Sequence, residues 1–295
     1  SLDFESANIH LEKNEADIVV RIPPHFERDL LRDQKNTIQF VINAVDGAAG
    51  GLANGYASQI VADYNKNIRA ELLPATLNLP SGTIQVIHSN WFNPEMNYKT
   101  FMVPGLVVLL ITLIGMFLCA MNIVREKEMG TIEQLNVTPI SKTTFIIGKL
   151  LPFWILAIFE LTIGLVIGKM VFNIPMIGNI GLIYLFASIY LVVILGIGLL
   201  VSTFTETQQQ AMFLSWFILV LFILMSGLFT PVESMPSWAQ KVTWFNPVAY
   251  FIRVIRMVML KGSGFLDILD YLLIMLLFAV VVNTLAILNY RKTTS

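Results

Sequence analysis

Met102 to Val124 contains no Asp, Glu, Lys, Arg or His. A helix needs about 20 mainly apolar residues to cross a hydrocarbon layer of roughly 30 Å. Four further stretches meet that length: Thr144–Phe172, Ile180–Phe204, Ala211–Phe229 and Leu266–Tyr290. The second carries Lys149, Glu160 and Lys169, and the last has Asp267 and Asp270 at its entrance. The whole chain is only 13% charged and 56% hydrophobic, against about 25% charged for a soluble domain. These features predict a polytopic α-helical membrane protein with five visible spans.

The charge deficit is uneven. Charged residues are common before Tyr98 and sparse after it, so residues 1–99 read as a water-soluble α/β domain and 100–295 as the membrane domain. Strands are expected at Ala7–Leu11, Ile18–Ile22, Thr37–Val45 and Thr83–Ile87. Helices are expected at His25–Arg32 and Ala48–Arg69, the second with Leu52, Tyr56, Ile60 and Tyr64 on one stripe. His10, His25 and His88 are too dispersed for a metal site. Gly47, Gly50, Gly51 and Gly55 lack the Lys-Ser/Thr pair that closes a phosphate loop. Cys119 is the one cysteine, so no disulfide forms within the chain. A net charge of −1 gives no electrostatic case for nucleic acid.

Lys and Arg concentrate on the cytoplasmic side of membrane proteins. Arg125 and Lys127 follow the first span, and Arg291 and Lys292 follow the fifth. Both segments therefore lie inside and residues 1–99 outside. Lys241, Arg253, Arg256 and Lys261, between spans four and five, run against this count. Ser1 to Glu5 show no signal-peptide pattern, so a transmembrane helix before Ser1 is expected, making six spans with both termini inside.

The first connection reads Arg125-Glu126-Lys127-Glu128-Met129-Gly130-Thr131. Charges of both signs directly after a charge-free span predict a surface helix over 125–135, broken near Pro139. Such a helix either anchors the span ends or docks a cytoplasmic protein. Between spans four and five, Pro231, Pro236 and Pro247 punctuate the segment 228–264, and Val248–Leu260 reads as a re-entrant or interfacial helix. Arg253 and Arg256 on it either snorkel to lipid phosphates or attract anionic groups. Glu160 in mid-span is a candidate for the translocation path, as is Asn283. Gly164 and Gly168 form a Gly-x-x-x-Gly pair, a close-packing or dimer contact. Gly196 and Gly198 read as packing glycines.

Several stretches, in order, carry a resemblance. They are Trp91-Phe92-Asn93-Pro94, Phe101-Met102-Val103-Pro104-Gly105, the 125–131 elbow with Val137-Thr138-Pro139, Gly148-Lys149, Gln208-Gln209-Gln210-Ala211-Met212, Ser226 to Pro236, Asn246-Pro247 with Tyr250 and Arg256, and Leu260-Lys261-Gly262. The chain resembles the membrane subunit of ABC-2 type export transporters with a large external domain. The resemblance implies a non-enzymatic permease of the bacterial inner membrane, forming a homodimer or a heterodimer with a related permease. It implies two cytoplasmic ATPase subunits that seat Arg125 to Thr131 as a coupling helix, with a periplasmic adaptor as a further option. ATP and Mg would sit on the ATPase, since this chain carries no Gly-x-x-x-x-Gly-Lys-Ser/Thr pattern. The implied cargo is amphiphilic: a drug, lipid or lipid-linked molecule. A receptor with an external ligand domain, and an ABC assembly that transmits force without moving a small molecule, remain alternatives.

Overall fold

The computed structural model describes residues 7, 10–11, 16–33, 35–43, 47–72, 83–91, 97–130 and 142–289. The chain divides into two compact units, Ser1–Phe101 and Met102–Ser295.

In the first unit, β1 (Ile18–Arg21), α1 (Phe26–Asp33), β2 (Lys35–Asn43), α2 (Gly47–Leu72) and β3 (Thr83–Trp91) follow in order. The sheet order is β1-β2-β3. β1 pairs antiparallel with β2, Ile18 opposite Ile42, and β2 pairs parallel with β3, Lys35 opposite Thr83. A parallel pair needs a long crossover, which α2 supplies. The alternation Ile38, Phe40, Ile42 puts these three on one face of β2, where they pack with Leu30 and Val61.

One expectation fails here and a second is refined. Ala7, His10 and Leu11 are helical, not strand. The stripe Leu52, Tyr56, Ile60, Tyr64 is exposed within the structure. Ala57 and Val61 face the core instead, because small side chains let a helix lie close to a sheet.

In the second unit, α3 (Tyr98–Glu128), α4 (Lys142–Met170), α5 (Ile180–Phe204) and α9 (Phe265–Asn289) bracket three shorter helices. These are α6 (Gln208–Leu224), α7 (Ser237–Thr243) and α8 (Pro247–Arg256), which runs on into a π-helical turn, Met257–Lys261. α3 and α5 are central, with 56% and 50% of their spanning windows buried, against 17% for α4 and α9. Glycines set the close crossings. A Cβ on Gly198 would lie 2.8 Å from the Met116 carbonyl oxygen of α3. Gly164 and Gly168 face Val107 and Val103 of α3, so that Gly-x-x-x-Gly pair serves packing within the chain.

Among the described residues, four helices are long and apolar enough to span, one fewer than expected. The segment expected at Ala211–Phe229 forms α6, of 17 residues, about 25 Å at 1.5 Å per residue. It stops because Gly227 adopts a left-handed φ of 76° and the chain turns back. α8 then inserts among the helices. Phe251 stacks on Tyr190 of α5 at 4.7 Å between ring centroids. Tyr190 lies ten residues into α5, some 15 Å from its start. This places α8 inside the bundle rather than flat on its surface. The π-turn exposes carbonyls that an α-helix would occupy. The α4–α5 loop uses them: Ile177 N–H donates to Met259 O at 3.0 Å and Gly178 N–H to Val258 O at 3.1 Å.

Candidate functional site

The last turn of α3 carries four successive charges, Arg125 to Glu128. Residues on a helix advance by about 100° each, so Glu126, Lys127 and Glu128 fan out toward three different neighbours. The Lys149 ammonium of α4 donates to Glu126 Oε1. Lys127 Nζ donates to the carbonyls of Ser202 and Thr205, the latter at 3.3 Å, at the end of α5. Glu128 Oε1 accepts the Gln208 backbone N–H at 2.8 Å, and its Oε2 accepts the Gln208 side-chain amide.

The Lys149–Glu126 contact pairs two side chains, whereas Lys127 and Glu128 answer a need of the backbone. The final carbonyls of a helix and its first N–H groups have no partner inside the helix. A cation suits the first set and a carboxylate the second, because of the helix dipole. Bonds to charged groups are also the stronger class. One helical turn thus ties the ends of α4, α5 and α6 to α3. Arg125, Met129 and Gly130 are exposed beside this junction. Gly130 ends the helix with a left-handed φ of 68°.

This differs from the expected surface helix. Arg125 to Glu128 are the last turn of the span itself. Thr131 and the rest of the expected coupling helix, residues 131–135, lie outside the described residues.

The opposite end of α6 is also tied. Asn246 Nδ2 donates to Phe222 O at 2.7 Å, Thr243 Oγ1 to Met225 O at 3.2 Å and Arg256 Nη1 to Gly227 O at 3.2 Å. Asn246 does two jobs, since its Oδ1 also accepts the Val248 N–H at 3.0 Å and caps α8. Pro247 fits the next position, where no N–H is needed.

A family model described as "ABC-2 family transporter protein" matches residues 2–288. The chain belongs to this family. It is 36% identical over 255 residues to the Escherichia coli K12 protein named "Probable multidrug ABC transporter permease YbhR", covering 86% of this chain and 67% of that one. It is 29% identical to "Probable multidrug ABC transporter permease YbhS" of the same strain, over 83% of this chain and 64% of that one. It is 26% identical to "Inner membrane transport permease YhhJ", over 93% of this chain and 72% of that one. The chain spans about two thirds of the length of these relatives.

The path candidates of this ABC-2 chain engage separate elements. Asn283 of α9 sits in the notch at Gly196 and donates to Val192 O at 3.1 Å and Ala279 O at 2.8 Å. That is a seam bond between α9 and α5. Arg253 lies over the Tyr271 ring, 5.9 Å from its centroid. Arg256 is 8% exposed and packs under Gly105 and Leu228. Neither arginine snorkels free. Glu160 shares a face of α4 with Ala157 and Gly164, and its Oε2 is buried without a hydrogen bond among the described residues.

Sequence reasoning missed Lys149, Gln208, Thr243 and Asn246 as working residues. Gln208 and Asn246 each follow or form a helix cap: Thr207 is the N-cap of α6 and Asn246 that of α8. A cap search across the loops would have marked both. Lys149 carried a signal too, as a lone charge within an apolar span.

Proposed function

We propose that this ABC-2 chain is the permease subunit of an ATP-driven exporter of amphiphilic molecules, powered by a separate ATPase. The observation that carries the proposal is the charged junction. It gathers the ends of four helices at one point of the bundle, beside an exposed strip, Arg125, Met129 and Gly130. A force applied there reaches α3, α4, α5 and α6 together. The relatives' names, with "multidrug" and "permease", support transport of this kind of cargo.

In this reading Arg125, Met129, Gly130 and Thr131 of the Arg125–Thr131 elbow seat in a groove of the ATPase, which holds the ATP and Mg, while Glu126, Lys127 and Glu128 bind their own chain. The junction faces the cytoplasm, and the α/β unit of residues 1–99 faces the periplasm from the inner membrane. Two permeases pair to enclose the path.

The test is purification of the full-length protein in mild detergent, followed by flux in inverted vesicles. Retention of an ABC ATPase, and ATP-dependent uptake of a fluorescent amphiphile, are expected. An ATPase that co-purifies without any flux would favour the force-transmitting assembly. Absence of both would overturn the proposal.

A further inference from the structure

We infer that α6 is a push-rod, latched at one end by Glu128–Gln208 and at the other by Asn246, which carries motion from the charged junction to the α7–α8 segment. The inference rests on the transport reading and assigns positioning roles to three residues within it.

Three observations carry it. First, α6 is short. At 17 residues it ends before the other spans do. Its far end meets α7 and α8 rather than a terminal loop. Second, the bonds at each end are specific and direct. Glu128 holds both the backbone and the side chain of Gln208, so the first turn of α6 follows the last turn of α3. Asn246, Thr243 and Arg256 hold the Phe222, Met225 and Gly227 carbonyls. Third, α6 is held along its length by one face only, where Ala211 packs with Ala120, Val124 and Val201 and Leu214 and Ile218 lie against them. Within the structure only Ala211, Ser215 and Leu219 of α6 are buried, and Phe213, Trp216, Phe217, Leu221 and Leu224 are exposed. A helix gripped at its ends and along one face only translates as a unit. An α-helix is stiff along its axis because every turn is hydrogen-bonded to the next. By contrast α5 is buried along most of its length, and moves only together with the core packed around it.

The amide–carboxylate pair permits a clean exchange. Gln208→Glu sets two carboxylates face to face and opens the near latch. Adding Glu128→Gln restores a donor opposite an acceptor, with polarity reversed, and leaves an oxygen for the residue 208 N–H. At the far latch, Asn246→Asp keeps the oxygen that caps α8 but removes the donor to Phe222 O.

The experiment uses the full chain with its co-purified ATPase in lipid nanodiscs. An environment-sensitive fluorophore is placed by Trp238→Cys, an exposed site on α7. Cys119 is buried and stays unlabelled. MgATP is expected to shift the signal in the otherwise unaltered protein. Gln208→Glu is expected to abolish the shift, and Asn246→Asp, which leaves the Thr243 and Arg256 bonds in place, to reduce it, while the ATPase remains bound and active. Glu128→Gln with Gln208→Glu is expected to bring it back. A full shift in Gln208→Glu, or none in the exchanged pair when its assembly is intact, overturns the push-rod. A merely structural role would lower assembly yield in step with the signal, and that result also overturns it. If the unaltered protein shows no ATP-driven signal and binds no ATPase, the transport reading itself fails, and the push-rod with it.

Discussion

Replacing Gly198 by alanine is expected to loosen the α3–α5 seam, and Cys119 reports it. The added Cβ would stand 2.8 Å from Met116 O, 3.1 Å from Cys119 Cβ and 3.3 Å from its sulfur. The nearest of these is backbone, so no rotamer change relieves it. The helices must part by about half an ångström to reach ordinary contact. Overpacking of a tight core costs about 1–3 kcal/mol. Alanine returns up to about 1 kcal/mol through its higher helix propensity. The net is a destabilisation of roughly 1–2 kcal/mol, or about a five- to thirty-fold larger open population, since about 1.4 kcal/mol is tenfold. Cys119 is fully buried and its thiol donates to Leu195 O at 3.4 Å across the seam. Its maleimide labelling rate in detergent should rise by that same factor. Gly148→Ala is the control, because a Cβ there meets nothing within 4 Å, and its labelling rate should not increase. Wild-type labelling in Gly198→Ala would refute the claim that close glycine contact holds the central pair.

Asn283→Ala removes the seam bond to Val192 O and should lower thermal stability by about 0.5–1.5 kcal/mol. Vesicle flux per folded molecule should be unchanged, and a selective loss of flux would return Asn283 to the translocation path. Glu126→Lys alone should destabilise by about 1–3 kcal/mol, since it sets two ammonium groups together in a half-buried site. Adding Lys149→Glu should recover most of this in a thermal-shift measurement, and no recovery would mean the pair is incidental. Tyr190→Phe keeps the ring on Phe251 and loses only the hydroxyl contact with Thr112, for about 1 kcal/mol. Tyr190→Ala also empties a fully buried site and should cost about 3–5 kcal/mol in the same assay.

The helical membrane architecture was legible because charge-free runs have few other uses. α3, α4, α5 and α9 all lie where apolar length placed them. The far end of the fourth apolar stretch was misplaced, at Phe229 rather than Leu224, because composition does not register a reversal. Met225 to Phe229 is as apolar as the helix before it, and only the left-handed Gly227 shows the turn. In α2 the helix was legible from the large apolar residues at a spacing of four, but which face lies on the sheet was not, since that face includes the small Ala57. Glu126 to Glu128 stood out as charged residues at a span end. Their partners did not, because Ser202, Thr205 and Gln208 are some 80 positions away and two of them contribute only carbonyls. Backbone groups leave no mark in a sequence.

That last point changes what the elbow's charges do. Read along the chain, Glu126, Lys127 and Glu128 are surface charges free to meet an outside protein. In the fold Lys127 and Glu128 hold helix ends of the same chain, and Glu126 pairs with Lys149. An ATPase would then meet Arg125, Met129 and the residues beyond Gly130. The three inner charges would convert a push on that strip into joint movement of four helices. Substitutions on the two groups should therefore separate. Arg125→Glu should weaken ATPase retention and leave the thermal stability of the isolated permease within about 0.5 kcal/mol of wild type, as for a surface position. Glu126→Lys should lower that stability whether or not an ATPase is present. If both substitutions act only through ATPase binding, the inner charges face the partner after all and the division of labour is wrong.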